Sequence, residues 1–173
     1  MEKLMALAAT IELVIFDVDG VLTDGTLFLG DDGQEYKAFN SKDGHGIRML
    51  HESGVRSAIL TGRQSNVVKH RASDLGIEYV MQGHRDKRPA FEALCKETGL
   101  APAVMAYVGD DVVDLPVMTQ VGFAIAVNDA HPMVKRHAHW TTAAVGGRGA
   151  AREVCEFLME ARGVLDEKLR SYL

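Results

Sequence analysis

The chain has 173 residues, 47% hydrophobic and 25% charged, with a net charge of −5. That length suits one domain spanning 1–173 with a buried core. The acidic balance argues against nucleic acid or an anionic membrane as partner, since both select basic patches, but leaves open a small anionic ligand.

Met1 to Thr10 carries an apolar patch, Leu4 to Ala9, too short for a membrane span and without a signal-peptide cleavage pattern. A cytoplasmic protein is expected. Leu13 to Phe16 reads as a strand buried on both faces, ending in Asp17-Val18-Asp19-Gly20. Residues 25–40 change character. Two short apolar-rich runs flank Gly30-Asp31-Asp32-Gly33 and predict an inserted β-hairpin. Its Leu27, Phe28, Leu29, Tyr36 and Phe39 need a partner surface, and a second subunit is favoured over the body of the protein.

A helix follows from Asp43 to Ser53, then a strand from Val55 to Leu60 ending in Thr61-Gly62-Arg63. Ser65 to Leu75 predicts a helix closed by Gly76, and Ile77 to Met81 a short strand. Lys87 opens a helix running to Thr98, with Pro89 in its first turn. Ala103 to Val108 is the next strand, followed by Gly109-Asp110-Asp111 and Asp114, then a helix reaching toward Gly122. Phe123 to Val127, a short helix from His131, a small strand at His139 to Thr142 and a helix from Ala150 to Arg162 complete the pattern. Gly146-Gly147-Arg148-Gly149 reads as a flexible break opening a tail over 146–173, its last residues helical or frayed. Strand and helix alternate throughout, so the fold class is α/β, a doubly wound parallel sheet with right-handed crossovers. No gap is long enough for a separate cap domain. Cys95 and Cys155 are expected to be reduced and without a catalytic role.

Polar groups follow four of these elements: Asp17 and Asp19, Thr61, Lys87, and Asp110 with Asp111 and Asp114. In a parallel sheet such positions converge at one edge. Two carboxylates about 5 Å apart repel by roughly 3 kcal/mol at an effective dielectric near 20. A hard divalent cation removes that cost, and an oxygen-only donor set favours Mg²⁺. With a lysine and a hydroxyl added, the site complements a phosphoryl group. A carboxylate can take that group as a nucleophile, and a second, two residues on, can serve as general acid and base. A receiver-type phosphoacceptor domain uses similar groups, but its phosphorylated aspartate lies on a later strand than its acidic pair. His131, His137 and His139 have the wrong spacing for a metal site and read as surface residues.

The segments Asp17-Val18-Asp19-Gly20-Val21-Leu22-Thr23, Leu60-Thr61-Gly62-Arg63, Lys87 and Gly109-Asp110-Asp111-Val112-Val113-Asp114 resemble the four ordered motifs of the haloacid dehalogenase superfamily. The resemblance implies that Asp17 is the nucleophile and Asp19 the acid/base, with Thr61 and Lys87 binding the phosphoryl group. It implies Mg²⁺ held by Asp17, the Asp19 carbonyl and Asp110, with Asp111 and Asp114 supporting; whether either of these touches the metal stays open. Phe39 to Ile47, Arg63 with Arg71, and Gly146-Gly147-Arg148-Gly149-Ala150 resemble more narrowly the capless 3-deoxy-D-manno-octulosonate (KDO) 8-phosphate phosphatases of lipopolysaccharide synthesis. Sialic-acid-type 9-phosphate phosphatases share most of these motifs and remain an alternative. The likeness implies a homotetramer built through the hairpin. It also implies a sugar-acid phosphate substrate contacted by Asp19, Asn40, Ser41, Lys42, Asp43, Gly44, Arg48, Thr61, Gly62, Arg63, Arg71 and Lys87. Guanidinium groups suit a substrate carrying a carboxylate at the end remote from its phosphate. The tail is expected to reach over a neighbouring chain's site, so that deletion beyond Val145 would weaken substrate binding or turnover.

Overall fold

Leu13–Phe16 forms β1, and all four of its residues are buried. The computed structural model describes residues 1–173. Its strands after β1 are β2 (Phe28–Leu29), β3 (Glu35–Tyr36), β4 (Arg56–Leu60), β5 (Tyr79–Met81), β6 (Met105–Gly109), β7 (Phe123–Ala126) and β8 (Trp140–Thr141). The helices are α1 (Glu2–Ala9), α2 (Ser41–Glu52), α3 (Asn66–Leu75), α4 (Lys87–Thr98), α5 (Leu115–Met118), α6 (Pro132–His137), α7 (Ala150–Ala161) and α8 (Leu165–Arg170).

Six strands form one parallel sheet in the order β5-β4-β1-β6-β7-β8, while β2 and β3 pair separately as the antiparallel hairpin. From β1 the chain winds outward through β4 to β5, then returns to the other side of β1 for β6 and winds out again. The reversal lies between β1 and β6, where open α/β sheets place their ligand crevice. Phe16 is in register with Ile59 of β4 and Val108 of β6, so the residues just beyond those strands emerge side by side.

Helices cover both faces of the sheet. α2 packs on α7 and α3, α7 also on α1, and α4 on α5, closing a continuous core around Phe16, Ile47, Phe91, Val108 and Leu158. Met1–Thr10 contains helix α1, packed against α7. Two points differ from the expectations drawn from the sequence. The helix expected after Asp114 is only four residues long, preceded by a tight turn of 3₁₀ helix over Val112–Asp114. Gly146 to Gly149 is not a free break.

Gly146 and Gly147 press on the loop after β1, where a Cβ on Gly146 would collide with the Gly20 carbonyl and one on Gly147 with the Thr23–Asp24 backbone. Arg148 pairs with Asp24 of the same chain at 3.4 Å. Beyond these glycines, α7 buries Ala150, Ala151, Val154, Cys155, Leu158 and Met159. Deleting everything after Val145 would therefore remove a core helix, and its effect would read out as lost folding. No helix is long and apolar enough to cross a membrane.

Candidate active site

A cleft of about 560 Å³ opens at the carboxyl ends of β1, β4 and β6. Asp17, Asp19, Thr61, Gly62, Arg63, Lys87, Asp110 and Asp111 all line it. The four motifs thus meet at one place. Gly20 makes the meeting possible: its φ of 89° is strained for other residues, and a Cβ there would strike the Asp110 carboxylate.

Lys87 sits at the centre of the floor. As the first residue of α4 it lies at the positive end of a helix, an unfavourable place for a cation. Its ammonium is nonetheless 1% exposed, 2.7 Å from Asp17 Oδ2 and 2.6 Å from Asp114 Oδ1. It also donates to the Tyr107 hydroxyl at 2.9 Å. Burial works against its charge, but the two carboxylates outweigh that and raise its pKa. Burial pushes Asp17 up to about 6, opposed by Lys87 and assisted by Asp114, so the Asp17–Lys87 pair is charged at neutral pH.

Asp114 is fully buried and all its acceptor positions are engaged. Oδ1 accepts from Lys87 and Tyr107, and Oδ2 accepts from the backbone N–H groups of Asp110 and Asp111 at 2.9 and 3.1 Å. A carboxylate so occupied is a brace for the loop after β6, with little left to offer an ion. Asp111 caps the following turn through Val112 N–H at 2.7 Å. Tyr107 is the member of this network that motif reading misses. In the sequence it is one more aromatic residue in an apolar strand.

The oxygens of Asp17, Asp110 and Asp114 lie within 4.8 Å of one another. Burial, reinforced by the carboxylates of Asp114, Asp17 and Asp111, raises Asp110 from an ordinary 3.8 to about 8. Three carboxylates face a single ammonium, so the donor set is short of positive charge and made only of oxygen. It fits a hard divalent cation such as Mg²⁺. The Asp110 carboxylate accepts no hydrogen bond. Asp17 accepts one at each oxygen, from Val18 N–H and Lys87, which leaves each a further lone pair, and the Asp19 carbonyl stands at the same strand tip.

The hairpin reaches into this site. Phe28 and Tyr36, paired across the hairpin, share its outward face, Leu27 and Leu29 are exposed as well, and Glu35 and Lys37, on the face alternate to Tyr36, turn inward. Glu35 accepts from Arg63 at 2.5 Å and pairs with Lys37 at 2.6 Å, and Lys37 pairs with Asp19. Gln64 and Arg85 also line the cleft and carry no motif that would have singled them out.

The other expected sugar contacts lie elsewhere within this chain. Asn40 caps α2, its side chain accepting from the N–H groups of Lys42 and Asp43. Asp43 is 2% exposed, and its carboxylate accepts from Gly149 N–H at 3.2 Å and Arg152 N–H at 2.9 Å, holding the start of α7. Arg48 and Arg71 both pair with Asp74, and with Ser41 and Gly44 they line a separate hollow of about 280 Å³ that shares no residue with the cleft. Lys42 is exposed at the start of α2 and lines neither space. The family resemblance grouped these residues with the cleft; α2, and α3 for Arg71, hold them apart from it within this chain.

Residues 73–153 match the model of the haloacid dehalogenase-like hydrolases. The chain is 49% identical over 163 residues, 94% of its length, to the 3-deoxy-D-manno-octulosonate 8-phosphate phosphatase of Escherichia coli BL21-DE3, covering 87% of that protein. The chain belongs to this phosphatase family, within the haloacid dehalogenase superfamily. A crystal structure of a probable YrbI family phosphatase from Pseudomonas syringae superposes with a TM-score of 0.97 at 47% identity, covering 99% of this chain and 98% of that one. The family's Moraxella catarrhalis phosphatase, crystallised with magnesium, phosphate and KDO, superposes with a TM-score of 0.97 at 38% identity, covering 100% of this chain and 99% of that one. The six-stranded sheet and its helices form an α/β core with no separate cap, and the hairpin stands beside it.

Proposed function

We propose that this protein is a Mg²⁺-dependent phosphomonoesterase that hydrolyses KDO 8-phosphate to KDO and phosphate, in lipopolysaccharide sugar synthesis. The cleft carries the reading: an ion-paired carboxylate, a buried ammonium and a hydroxyl face one space, in a chain similar nearly end to end to enzymes of that name.

Asp17 attacks phosphorus, forming an acyl phosphate as the bond to the sugar oxygen breaks. Asp19 delivers a proton to the departing oxygen, then as a carboxylate takes one from the water that cleaves the acyl phosphate. Lys87 balances the Asp17 charge and the phosphoryl oxygens. The Thr61 hydroxyl and the backbone at Gly62 orient the group. Asp17, Asp110 and the Asp19 carbonyl would hold Mg²⁺, which supplies positive charge to the phosphoryl oxygens and lets the carboxylates stand together ionised. Asp111 and Asp114 support the loop that presents Asp110. Arg63 is the cation this chain offers a sugar acid at its own cleft. Ser41, Lys42, Gly44, Arg48 and Arg71 reach such a substrate only when presented by a neighbouring subunit, whereas the side chains of Asn40 and Asp43 are engaged within the chain.

The exposed apolar face of the hairpin supports assembly of four copies, and the enzyme acts in the cytoplasm as one domain. Sedimentation giving a monomer would overturn the assembly. For the activity, phosphate release is measured across sugar-acid phosphates with and without Mg²⁺. Mg²⁺-dependent release with KDO 8-phosphate preferred is expected. A preference for a nine-carbon 9-phosphate would move the substrate to the sialic-acid type, and no release by folded protein would overturn the reading.

A further inference from the structure

The hairpin does more than present an apolar face. Lys37 lies just beyond β3, and its side chain is 1% exposed although the hairpin around it is open to solvent. An ammonium is buried this deeply only when it is paired. Its partners are Asp19 Oδ1 and, at 2.6 Å, Glu35 Oε1. Glu35 is in turn tied to Arg63, which follows β4. The ion pairs form one chain, Arg63–Glu35–Lys37–Asp19, that fastens the hairpin to two of the motif loops.

The two oxygens of Asp19 are consequently unlike. Oδ1 is engaged by Lys37, whereas Oδ2 is buried with no hydrogen-bond partner in the protein. A carboxyl that must give a proton to a leaving group needs one oxygen anchored and the other free for the proton. We propose that Lys37 is a positioning residue for the acid step: it clamps Asp19 by Oδ1 and leaves Oδ2 as the oxygen that carries the proton. This rests on Asp19 being the acid of the proposed reaction. As the bond between phosphorus and the sugar oxygen breaks and that from Asp17 to phosphorus forms, the proton on Oδ2 passes to the sugar oxygen. Asp19 is left as a carboxylate still facing Lys37. The same arrangement returns a proton to Oδ2 when water attacks the acyl phosphate.

Leaving-group dependence of kcat/KM separates this role from a merely structural one, because kcat/KM reports only the steps through release of the alcohol. KDO 8-phosphate expels an alkoxide that requires the proton; p-nitrophenyl phosphate expels a phenolate that departs without it. Since a positioned general acid contributes about 10²–10⁴-fold, Lys37→Met should lower kcat/KM for KDO 8-phosphate by roughly 30-fold or more and for the aryl ester by only a few-fold. Lys37→Arg should restore part of the loss. Glu35→Gln frees Lys37 without removing its charge but also frees Arg63, so it is compared on p-nitrophenyl phosphate and an alkyl phosphate lacking a carboxylate. It should show the same split to a smaller extent and serves if Lys37→Met does not fold.

Asp19→Asn is measured alongside and should show the largest split. Equal losses on both substrates in the Lys37 and Glu35 variants, or no loss on either, overturn the positioning role while the split in Asp19→Asn stands. Absence of a split in Asp19→Asn removes the acid role, and this proposal falls with it.

Discussion

The Tyr107 hydroxyl donates to Asp114 Oδ1 at 2.7 Å inside the sheet, and the same hydroxyl accepts from Lys87. One buried phenol thereby fixes the distance between the brace of the β6 loop and the cation beneath Asp17. Burial and the surrounding carboxylates hold its pKa well above the ordinary tyrosine value, so it stays a donor throughout the working range.

Tyr107→Phe should leave the fold intact but strand one lone pair of Asp114 and one proton of Lys87. A buried hydrogen bond of this kind contributes about 1–3 kcal/mol, so the urea midpoint should fall accordingly with the slope unchanged. Turnover should fall more than KM changes, because Lys87 still carries its charge but is less well held. An unaltered midpoint would show that the network does not depend on the phenol.

Asp17→Asn should separate stability from activity. Above about pH 8, where Asp110 is also ionised, three carboxylates crowd one ammonium, and removing one of them relieves repulsion in the metal-free protein at that pH. Its melting temperature without Mg²⁺ should hold or rise there, while turnover falls on the order of 10⁴-fold or more, as for loss of other nucleophiles. Appreciable residual turnover would remove Asp17 from the nucleophile's place.

The charge excess also sets a pH dependence. In the metal-free fold Asp110 keeps its proton up to about pH 8, whereas in the unfolded chain it ionises near its ordinary 3.8. Between those values the folded state binds more protons, so its stability is fully present below the lower value and is lost as pH rises through the upper one. Mg²⁺ binds the ionised form and opposes this loss. Its effect on melting temperature should therefore grow from about pH 5 to about pH 8, in keeping with the linkage of ligand binding to stability. An Mg²⁺ effect independent of pH would be incompatible with Asp110 as a ligand.

Gly146→Ala tests the contact between the tail and the nucleophile loop. The new methyl group would meet the backbone carbonyl of Gly20, which has no rotamer by which to yield. Overpacking of this kind costs about 1–3 kcal/mol, and here the shift falls on the loop that carries Asp19. Both the urea midpoint and kcat/KM should drop. Activity retained at full stability would mean that the loop can give way freely.

Several features were legible in the chain itself because they are local. β1 announces itself by four successive apolar residues, all buried, and the end of α3 by Gly76, which adopts a left-handed conformation. The four motifs were legible because a parallel sheet sends every strand end to the same edge. Asp43 and Arg71 show where such reading stops: Asp43 accepts from Arg152 N–H and Arg71 donates to the Asn40 carbonyl, partners distant along the chain, and spacing carries no trace of them. Lys37 left a faint signal, since Glu35 and Lys37 alternate with Tyr36 as charged and aromatic faces of a strand.

The sequence by itself determined the sheet, the order of its motifs and the chemistry those side chains can perform, because periodicity and strand ends follow from covalent geometry. Only the tertiary structure decided which carboxylate is spent on bracing, which lysine faces Asp19, and that Gly146 rests on the nucleophile loop. Those outcomes depend on close packing between segments remote in the chain, where tenths of an ångström and the count of available hydrogen-bond partners settle what each group is free to do.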